Sequence, residues 1–305
     1  MKTFFVVNPK SANGETGKRW IELEARLRRS LENMSFGFTE AAMHAEDLAR
    51  QAIKNGYDTI VAVGGDGTIN ETINGFFEAG KALNPNAALG VLPRGTGGDF
   101  KRTFGWDGEL EPAVERLRRD ASVPFDVGLL EYTDPSGQKR VRYFANIASF
   151  GVSGVVDAEV NRSSKAFGGK LSFMWGSVKA LVKYTDKPVR FRLDGGEWQE
   201  APITTLAVAN GKYFGGGMMV APQAETADGI FDVTVWSGYS LKDFALKQQG
   251  IYSGAHVGWK GTRCLRAKVV EAESAEEVLI DCDGEQPGRL PCKMTVLPGA
   301  VRLKI

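Results

Sequence analysis

The sequence predicts an α/β domain built on a doubly wound parallel sheet, followed by an all-β domain with an antiparallel β-sandwich. Over about the first 125 residues, short buried-strand patterns alternate with helical patterns, which is typical of a parallel sheet covered by helices. After Pro124, strand-like runs separated by Gly, Pro, Asp or Asn dominate. A chain of 305 residues suits two domains of ordinary size. We therefore predict domains at 1–125 and 126–294.

The first domain begins with a short apolar run at Thr3–Val7 that ends in Asn8-Pro9, which predicts a strand and a turn. Apolar residues recur at helical spacing over Thr16–Leu31 and Ala45–Asn55. Gly56 is then a candidate helix C-cap. The remaining predicted elements of this domain are strands at Thr59–Val63 and Ala87–Leu92 and helices at Ile69–Ala79 and Leu110–Leu117.

The second domain is predicted to be mostly strand. Its predicted strands are Val127–Tyr132, Arg142–Ala148, Val189–Leu193, Thr204–Asn210, Phe231–Trp236, Ala267–Glu271 and Glu277–Cys282. Helical patterns are confined to Lys170–Tyr184 and Leu241–Ser253.

Composition excludes several classes of function. A formal net charge of +1 without a basic tail argues against nucleic-acid binding. Three cysteines without a CxxC pair, and two histidines, argue against a structural zinc site. The N-terminal apolar run is too short for a signal peptide, and no stretch approaches the roughly 20 apolar residues that span a bilayer. We expect a cytoplasmic protein with peripheral membrane contact only.

A glycine loop gives the strongest local signal. The buried strand Val61–Val63 runs into Gly64, Gly65 and Gly67, and a helical pattern follows. Exposed N–H groups at such a strand end, near a helix N-terminus, suit phosphate oxygens. Asp66 would repel phosphate unless it holds Mg²⁺, a ribose or a loop N–H. It could instead cap the helix that is predicted to begin near Ile69.

A second loop of the same kind covers Leu92–Phe100, where a buried strand ends in a glycine-rich turn that contains Asp99. Two such loops, about thirty residues apart, can line one crevice at the carboxyl ends of neighbouring strands. The alternative is a pair of ordinary strand-to-helix turns.

Several motifs in order along the chain resemble the diacylglycerol kinase catalytic-domain family, which includes sphingosine and ceramide kinases and bacterial lipid kinases. These motifs are Asn8-Pro9 with Ser11 and Gly14, GGDGT at Gly64–Thr68 with Asn70 and Glu71, Pro93–Phe100, Gly215–Val233, and Asp283-Gly284-Glu285. GGDGT alone is shared with NAD kinases and phosphofructokinases, whereas the ordered set is more specific. Gly98 departs from the pattern, because the family usually has Asn there.

The resemblance implies a Rossmann-like, phosphofructokinase/NAD kinase-like nucleotide domain and a C-terminal β-sandwich, with ATP in the cleft. It also implies that residues 295–305 can pack back on the first domain. The implied activity is transfer of the γ-phosphate of ATP to the hydroxyl of a lipid alcohol such as diacylglycerol, with Mg²⁺.

The resemblance also implies a set of nucleotide-binding residues. Lys18 could instead be a solvated lysine at the start of a helix, and Thr39 could instead be an ordinary strand residue. The full set is Asn8, Lys18, Thr39, Gly64, Gly65, Asp66, Gly67, Thr68, Ile69, Asn70, Glu71, Thr96 and Asp99.

Two further motifs bear on catalysis and metal binding. Asp283 and Glu285 follow an apolar strand and, two residues apart, would face one side as base and metal partner, with Glu285 favoured as the base. A type I′ hairpin turn is the alternative reading of Asp283-Gly284. The resemblance assigns a structural Mg²⁺ to Asp228, with backbone carbonyls near Glu225 and Ile230, although an unmetallated turn fits the same residues.

The segment Phe167–Tyr184 interleaves lysines with apolar residues, which suits either an amphipathic helix at a membrane surface or a core helix. The sequence leaves open which lipid is phosphorylated (diacylglycerol, phosphatidylglycerol or a sphingoid base) and whether the chain forms a homodimer. A soluble-substrate kinase, such as an NAD kinase, and a non-catalytic nucleotide-binding protein are the competing functions. The loop before Phe100 and the position of Asp283–Glu285 argue against the first. The retained acidic residues argue against the second, which Gly98 keeps open.

Overall fold

The computed structural model describes residues 2–95, 97–163 and 184–305. The chain divides into two compact units, Met1–Val127 with Pro298–Ile305, and Gly128–Leu297. Most of the predicted helix Lys170–Tyr184 and of the amphipathic segment Phe167–Tyr184 lies outside the described residues.

The first unit is built on a parallel sheet. Its strands are β1 (Thr3–Val7), β2 (Met34–Phe38), β3 (Thr59–Gly64) and β6 (Ala88–Pro93), with a separate short hairpin of β4 (Phe77–Glu78) and β5 (Lys81–Ala82). The order β6-β3-β1-β2 is parallel throughout. The carboxyl ends of all four strands therefore lie at one edge of the sheet, where ligands of open α/β sheets bind.

Helices connect these strands. They are α1 (Glu15–Lys18), α2 (Trp20–Arg28), α3 (His44–Lys54), α4 (Asp66–Asn74), α5 (Asp99–Thr103) and α6 (Leu110–Arg118). Trp20, Leu27 and Leu117 are buried with Phe5 and Val61 of the sheet in one apolar cluster. Burial of this surface is the main force that fixes the helices on the strands.

The C-terminal residues of the chain belong to this first unit. The end of a long strand, β17 (Glu285–Leu303), pairs in parallel with β6, with Arg302 opposite Ala88. The N–H of Lys304 then donates to the carbonyl of Leu89 at 2.9 Å.

The second unit is mainly antiparallel sheet. Its strands are β7 (Val123–Thr133, from Gly128 onward), β8 (Lys139–Phe144), β9 (Ile147–Gly151), β10 (Lys187–Leu193), β11 (Gln199–Ile203), β12 (Thr205–Ala209), β13 (Phe231–Trp236), β14 (Thr262–Ala267), β15 (Val269–Glu273), β16 (Leu279–Cys282) and the first part of β17. The order β14-β13-β12-β9-β16-β17 forms one path, while β15 joins β10 to β17. Phe144, Phe150, Phe191 and Phe231 fill the core of this unit.

The predicted fold class, an α/β unit followed by an antiparallel β unit, is confirmed. Several element predictions were wrong in detail. The single helix predicted over Thr16–Leu31 is two helices that meet at Arg19, whose backbone is not helical. The helix predicted from Ile69 begins at Asp66, so the last three residues of the GGDGT motif lie in the first turn of α4.

Two differences in the second unit bear on the site. The run Arg142–Ala148 is divided into β8 and β9, because the backbone at Ala145 and Asn146 turns toward Asp283. A helix that the sequence analysis missed, α7 (Val152–Ser163), follows β9 directly. Gly154 lets α7 approach β16, because a Cβ there would lie 2.5 Å from the carbonyl carbon of Leu279.

Candidate active site

The first glycine loop is anchored to the end of β1. The side-chain amide of Asn8 donates to Thr68 Oγ1 at 3.0 Å, and the N–H of Asn8 donates to the carbonyl of Val63 at 3.0 Å. Gly64 is required by this packing, because a Cβ there would lie 2.3 Å from Thr68 Oγ1. Asn8 therefore fixes the point at which β3 turns into α4.

Asp66 holds the two glycine loops together. Its carboxylate accepts three backbone N–H groups of the second loop, from Gly98 at 2.9 Å, Asp99 at 3.1 Å and Phe100 at 3.1 Å. The sequence left several roles open for Asp66, and in the structure its carboxylate accepts hydrogen bonds from loop N–H groups. Hydrogen bonds to a charged acceptor each contribute about 1.5–3 kcal/mol. The carboxylate also lies at the positive N-terminal end of α4.

The two loops also touch through their backbones. A Cβ on Gly95 would lie 2.6 Å from the Cα of Gly65, so no side chain fits between the loops at that point. Gly67, by contrast, has no neighbouring atom within 4 Å of its absent Cβ. The first turn of α4 thus presents open backbone, and the first N–H groups of a helix have no partner within the helix. Such a surface is suited to an anion.

Three of the predicted nucleotide-binding residues lie in the body of α4. Ile69 and Asn70 are buried, and the side-chain amide of Asn74 donates to the backbone carbonyl of Asn70 at 2.9 Å and to Asn70 Oδ1 at 3.4 Å. The Glu71 carboxylate accepts the N–H of Ala45 at 3.2 Å, which caps the first turn of α3. The contacts described for these three residues lie within the first unit.

The other predicted nucleotide-binding residues are more dispersed. Lys18 is exposed and forms an ion pair with Glu15 at 2.8 Å. Thr39 is buried just after β2, where its N–H donates to the carbonyl of Val7 at 2.8 Å. Asp99 is buried and pairs with Arg102 at 2.9 Å. Thr96 lies outside the described residues.

Gly98, the departure from the family pattern, is the N-cap of α5 and has φ +72° and ψ 35°. This left-handed conformation is the one that Gly adopts most readily and that Asn tolerates best among other residues. The second loop can therefore keep one backbone path with either residue.

Arg94 is a candidate that the sequence analysis missed. It follows β6, and its N–H donates to the carbonyl of Gly64 at 2.7 Å. Burial, together with the neighbouring positive charge of Arg19, lowers the pKa of the Arg94 guanidinium, which stays charged at neutral pH. A basic side chain inside a glycine-rich loop at a strand end was the signal that could have identified it.

In the second unit, Asp283 and Gly284 form the two-residue turn between β16 and β17. Cys282 pairs with Glu285 across the turn, and φ is +51° at Asp283 and +87° at Gly284. Positive φ at both central residues defines a type I′ turn. The alternative reading of these residues as a hairpin turn was therefore correct.

The Asp283 carboxylate is engaged with backbone. It accepts N–H groups from Ala145 at 2.7 Å, Asn146 at 3.0 Å and Ile147 at 2.8 Å. Glu285 is exposed at the start of β17. The two carboxylates of the motif thus have different surroundings.

A buried carboxyl pair, also missed from the sequence, supports this turn. The Asp281 carboxylate accepts the Ser149 hydroxyl at 2.8 Å and the N–H of Gly284 at 2.8 Å. Burial, followed by the charge of Asp281, raises the pKa of Asp157 well above its ordinary value, and burial also raises the pKa of Asp281. We assign the shared proton to Asp157, which donates it to Asp281. The charge of Glu285 also contributes to the raised pKa of Asp157.

The loop that the resemblance assigns to Mg²⁺ contains a different arrangement. Asp228 forms an ion pair with Arg266, and its other oxygen accepts the N–H of Ile230 at 3.2 Å. Arg266 Nε also lies 3.6 Å from Asp232 Oδ2. Among the described residues, no group of three or more His, Cys, Asp or Glu side chains is placed to hold a metal ion. The Asp228 oxygen that is paired with the Arg266 guanidinium is one that a Mg²⁺ at this loop would need, so this ion pair competes with a metal ion for the carboxylate.

Among the described residues, no helix is long and apolar enough to cross a membrane.

Family comparisons match both units of the chain. A model of the diacylglycerol kinase catalytic domain matches residues 2–130, and a model of the YegS C-terminal NAD kinase beta sandwich-like domain matches residues 146–305. The two matches account for most of the chain.

Individual relatives agree with the family match. A Mycobacterium tuberculosis protein named diacylglycerol kinase is 26% identical over 303 residues, covering 99% of this chain and 94% of the relative. A Pseudomonas aeruginosa protein named "Probable lipid kinase YegS-like" is 28% identical over 309 residues, covering 100% of this chain and 94% of the relative. The crystal structure of a diacylglycerol kinase from Bacillus anthracis str. Sterne has a TM-score of 0.70 and 21% identity, covering 99% of this chain and 96% of that chain, which shows a shared fold.

Proposed function

The chain belongs to the diacylglycerol kinase family, and on that premise we propose that it transfers the γ-phosphoryl group of ATP to the hydroxyl of a lipid alcohol such as diacylglycerol. Family membership makes the protein a lipid kinase and therefore a phosphotransferase. The nucleotide, the metal, the acceptor and the roles of individual residues are our proposal.

The observation that carries the proposal is the pair of glycine loops joined by Asp66. The loops leave open backbone at the first turn of α4, and Gly67 has free space where a side chain would otherwise stand. We propose that the phosphates of ATP bind there, and that Arg94 supplies positive charge in place of the lysine that many phosphate loops carry. Asp66 keeps the second loop in position for this and does not itself touch phosphate.

Phosphoryl transfer also needs charge neutralisation, and a Mg²⁺ bound with the nucleotide would stabilise the negative charge on the transferring group. The chain's own contribution is the pair of loops that Asp66 joins through three backbone N–H groups. We propose that these contacts preorganise the loops for the nucleotide, which reduces the cost of binding.

We propose Glu285 as the base that accepts the proton of the lipid hydroxyl. It is the exposed carboxylate of the motif, whereas Asp283 is committed to three backbone N–H groups. Asp283 is then a positioning residue that holds the turn from which Glu285 projects.

The acceptor hydroxyl of a membrane lipid lies near the bilayer surface. We therefore propose that the protein works from the cytoplasm and touches the inner face of the membrane only when acting. Diacylglycerol, phosphatidylglycerol and sphingoid bases all present such a hydroxyl.

The test is a transfer assay with γ-labelled ATP, Mg²⁺ and a panel of detergent-dispersed lipid alcohols, with NAD as a soluble acceptor in parallel. Label in a lipid product supports the proposal and identifies the acceptor. Label in NAD alone would replace the lipid with a soluble acceptor. Nucleotide binding without any transfer would indicate a binding protein.

A further inference from the structure

The loop around Asp228 brings negative charge together at one place in the second unit. Glu225, Asp228 and Arg266 line one cleft with Lys212 and Gln223. Asp232 lies beside this group, and its Oδ2 is buried without a hydrogen-bond partner among the described residues. Carboxylates placed close together repel one another unless a cation neutralises them, and the effect is largest at Asp232, which is partly buried.

Arg266 meets this requirement from within the chain. Asp232 on β13 and Arg266 on β14 are directly opposite each other in the antiparallel pairing, so the position of Arg266 is set by the sheet and does not depend on a flexible loop. From there its guanidinium forms an ion pair with Asp228, and its Nε lies 3.6 Å from Asp232 Oδ2. One side chain thus faces both carboxylates.

The planar guanidinium also presents several N–H donors at fixed angles, which lets it serve two acceptors at once. Both oxygens of Asp228 are engaged, one with Arg266 and the other with the N–H of Ile230. A divalent cation entering here would have to compete with the guanidinium for Asp228, and the two positive charges would repel each other at close range.

We infer that Arg266 takes the place of a divalent cation at this loop, so that the loop is held by a charge built into the chain and its stability does not depend on Mg²⁺. The inference concerns folding stability and does not rest on the proposed function. A Mg²⁺ that accompanies the nucleotide in the first unit is a separate matter.

The test is thermal unfolding of the full chain, without nucleotide, in Mg²⁺ and in EDTA. We expect the same Tm for the native chain in both. Arg266→Gln should lower the Tm in EDTA, and Mg²⁺ should restore part of the loss because the carboxylates become available to it. At a Mg²⁺ concentration about five times a millimolar Kd, linkage predicts a restoration of roughly 2–4 °C.

The matched control is Arg263→Gln. Arg263 lies on the same strand, but it contacts Gln199 at 3.1 Å rather than the acidic loop. This variant should show no response to Mg²⁺. A native Tm that rises with Mg²⁺ as much as that of Arg266→Gln would overturn the inference. An Arg266→Gln variant as insensitive to Mg²⁺ as the native chain would also overturn it. If Arg266→Gln does not fold, the Tm of the native chain in Mg²⁺ and in EDTA still tests the inference, because a native Tm that rises with Mg²⁺ would overturn it.

Discussion

Substitutions of the two carboxylates of the Asp283–Glu285 motif should affect different properties of the protein. Asp283→Asn is the more informative change, because it should lower stability. In the native chain the Asp283 carboxylate accepts three backbone N–H groups at 2.7–3.0 Å. In the variant, the remaining oxygen can still accept from Asn146 and Ile147. The new amide nitrogen, however, faces the N–H of Ala145, so one donor loses its acceptor.

Loss of one hydrogen bond to a charged acceptor, with its donor left unsatisfied, costs about 1.5–3 kcal/mol. For a unit of this size each kcal/mol shifts Tm by about 2–4 °C, so the expected decrease is roughly 3–12 °C. Glu285→Gln is the matched control, because Glu285 is exposed and a substitution of this kind changes stability by no more than about 0.5 kcal/mol.

The assay is thermal unfolding of both variants followed by lipid phosphorylation at a temperature where both are folded. We expect Asp283→Asn to lose stability and to keep part of its transfer rate, and Glu285→Gln to keep stability and lose transfer. An Asp283→Asn variant with the native Tm and no transfer would refute the reasoning and make Asp283 the base.

Four further predictions concern other residues of the two units. Asp66→Asn should lower the free energy of unfolding by about 1.5–3 kcal/mol in urea, because the remaining carbonyl oxygen can keep the N–H groups of Gly98 and Asp99 while the N–H of Phe100 then faces an amide donor. Gly67→Ala should leave Tm unchanged yet weaken ATP binding in calorimetry; unchanged binding would place the phosphates elsewhere. Asp157→Asn should raise Tm relative to the native chain as pH increases from about 4, because the raised pKa of Asp157 means that its stabilisation is lost toward alkaline pH. Asp134, whose pKa is lowered by hydrogen bonds from Ser136 and Arg140, should show the opposite sign, with Asp134→Asn lowering Tm above about pH 4; equal pH profiles for the two variants would contradict both assignments.

The sequence was sufficient to predict the fold class and the strand ends that carry the two glycine loops. Hydrophobic periodicity marks β3 and β6, and the glycines mark the places where backbone meets backbone, as at Gly65 and Gly95. For Asp66 the sequence left four possible roles, in which it binds Mg²⁺, a ribose or a loop N–H, or caps a helix. Its three N–H partners come from residues more than thirty positions away, so local sequence could not choose among them.

The second unit was harder to predict for the same reason. The partners of Asp283 come from a chain segment 136–138 residues earlier, and the pairing of Asp157 with Asp281 joins a helix to a strand. Helix α7 was missed because its apolar residues show a weak periodicity and its glycine suggests a turn. The contact of Arg266 with Asp228 depends on strand register, which only the structure supplies.

The central claim is tested most directly by the initial rate of label transfer from ATP to diacylglycerol, measured for the native chain and for Glu285→Gln with nucleotide affinity determined on both. The account predicts transfer by the native chain, a decrease of about 10²–10⁴-fold in the variant, and equal nucleotide affinity. A variant that transfers label at the native rate would contradict the assignment of Glu285 as the base. A native chain that binds ATP and labels no lipid would contradict the proposed kinase activity itself.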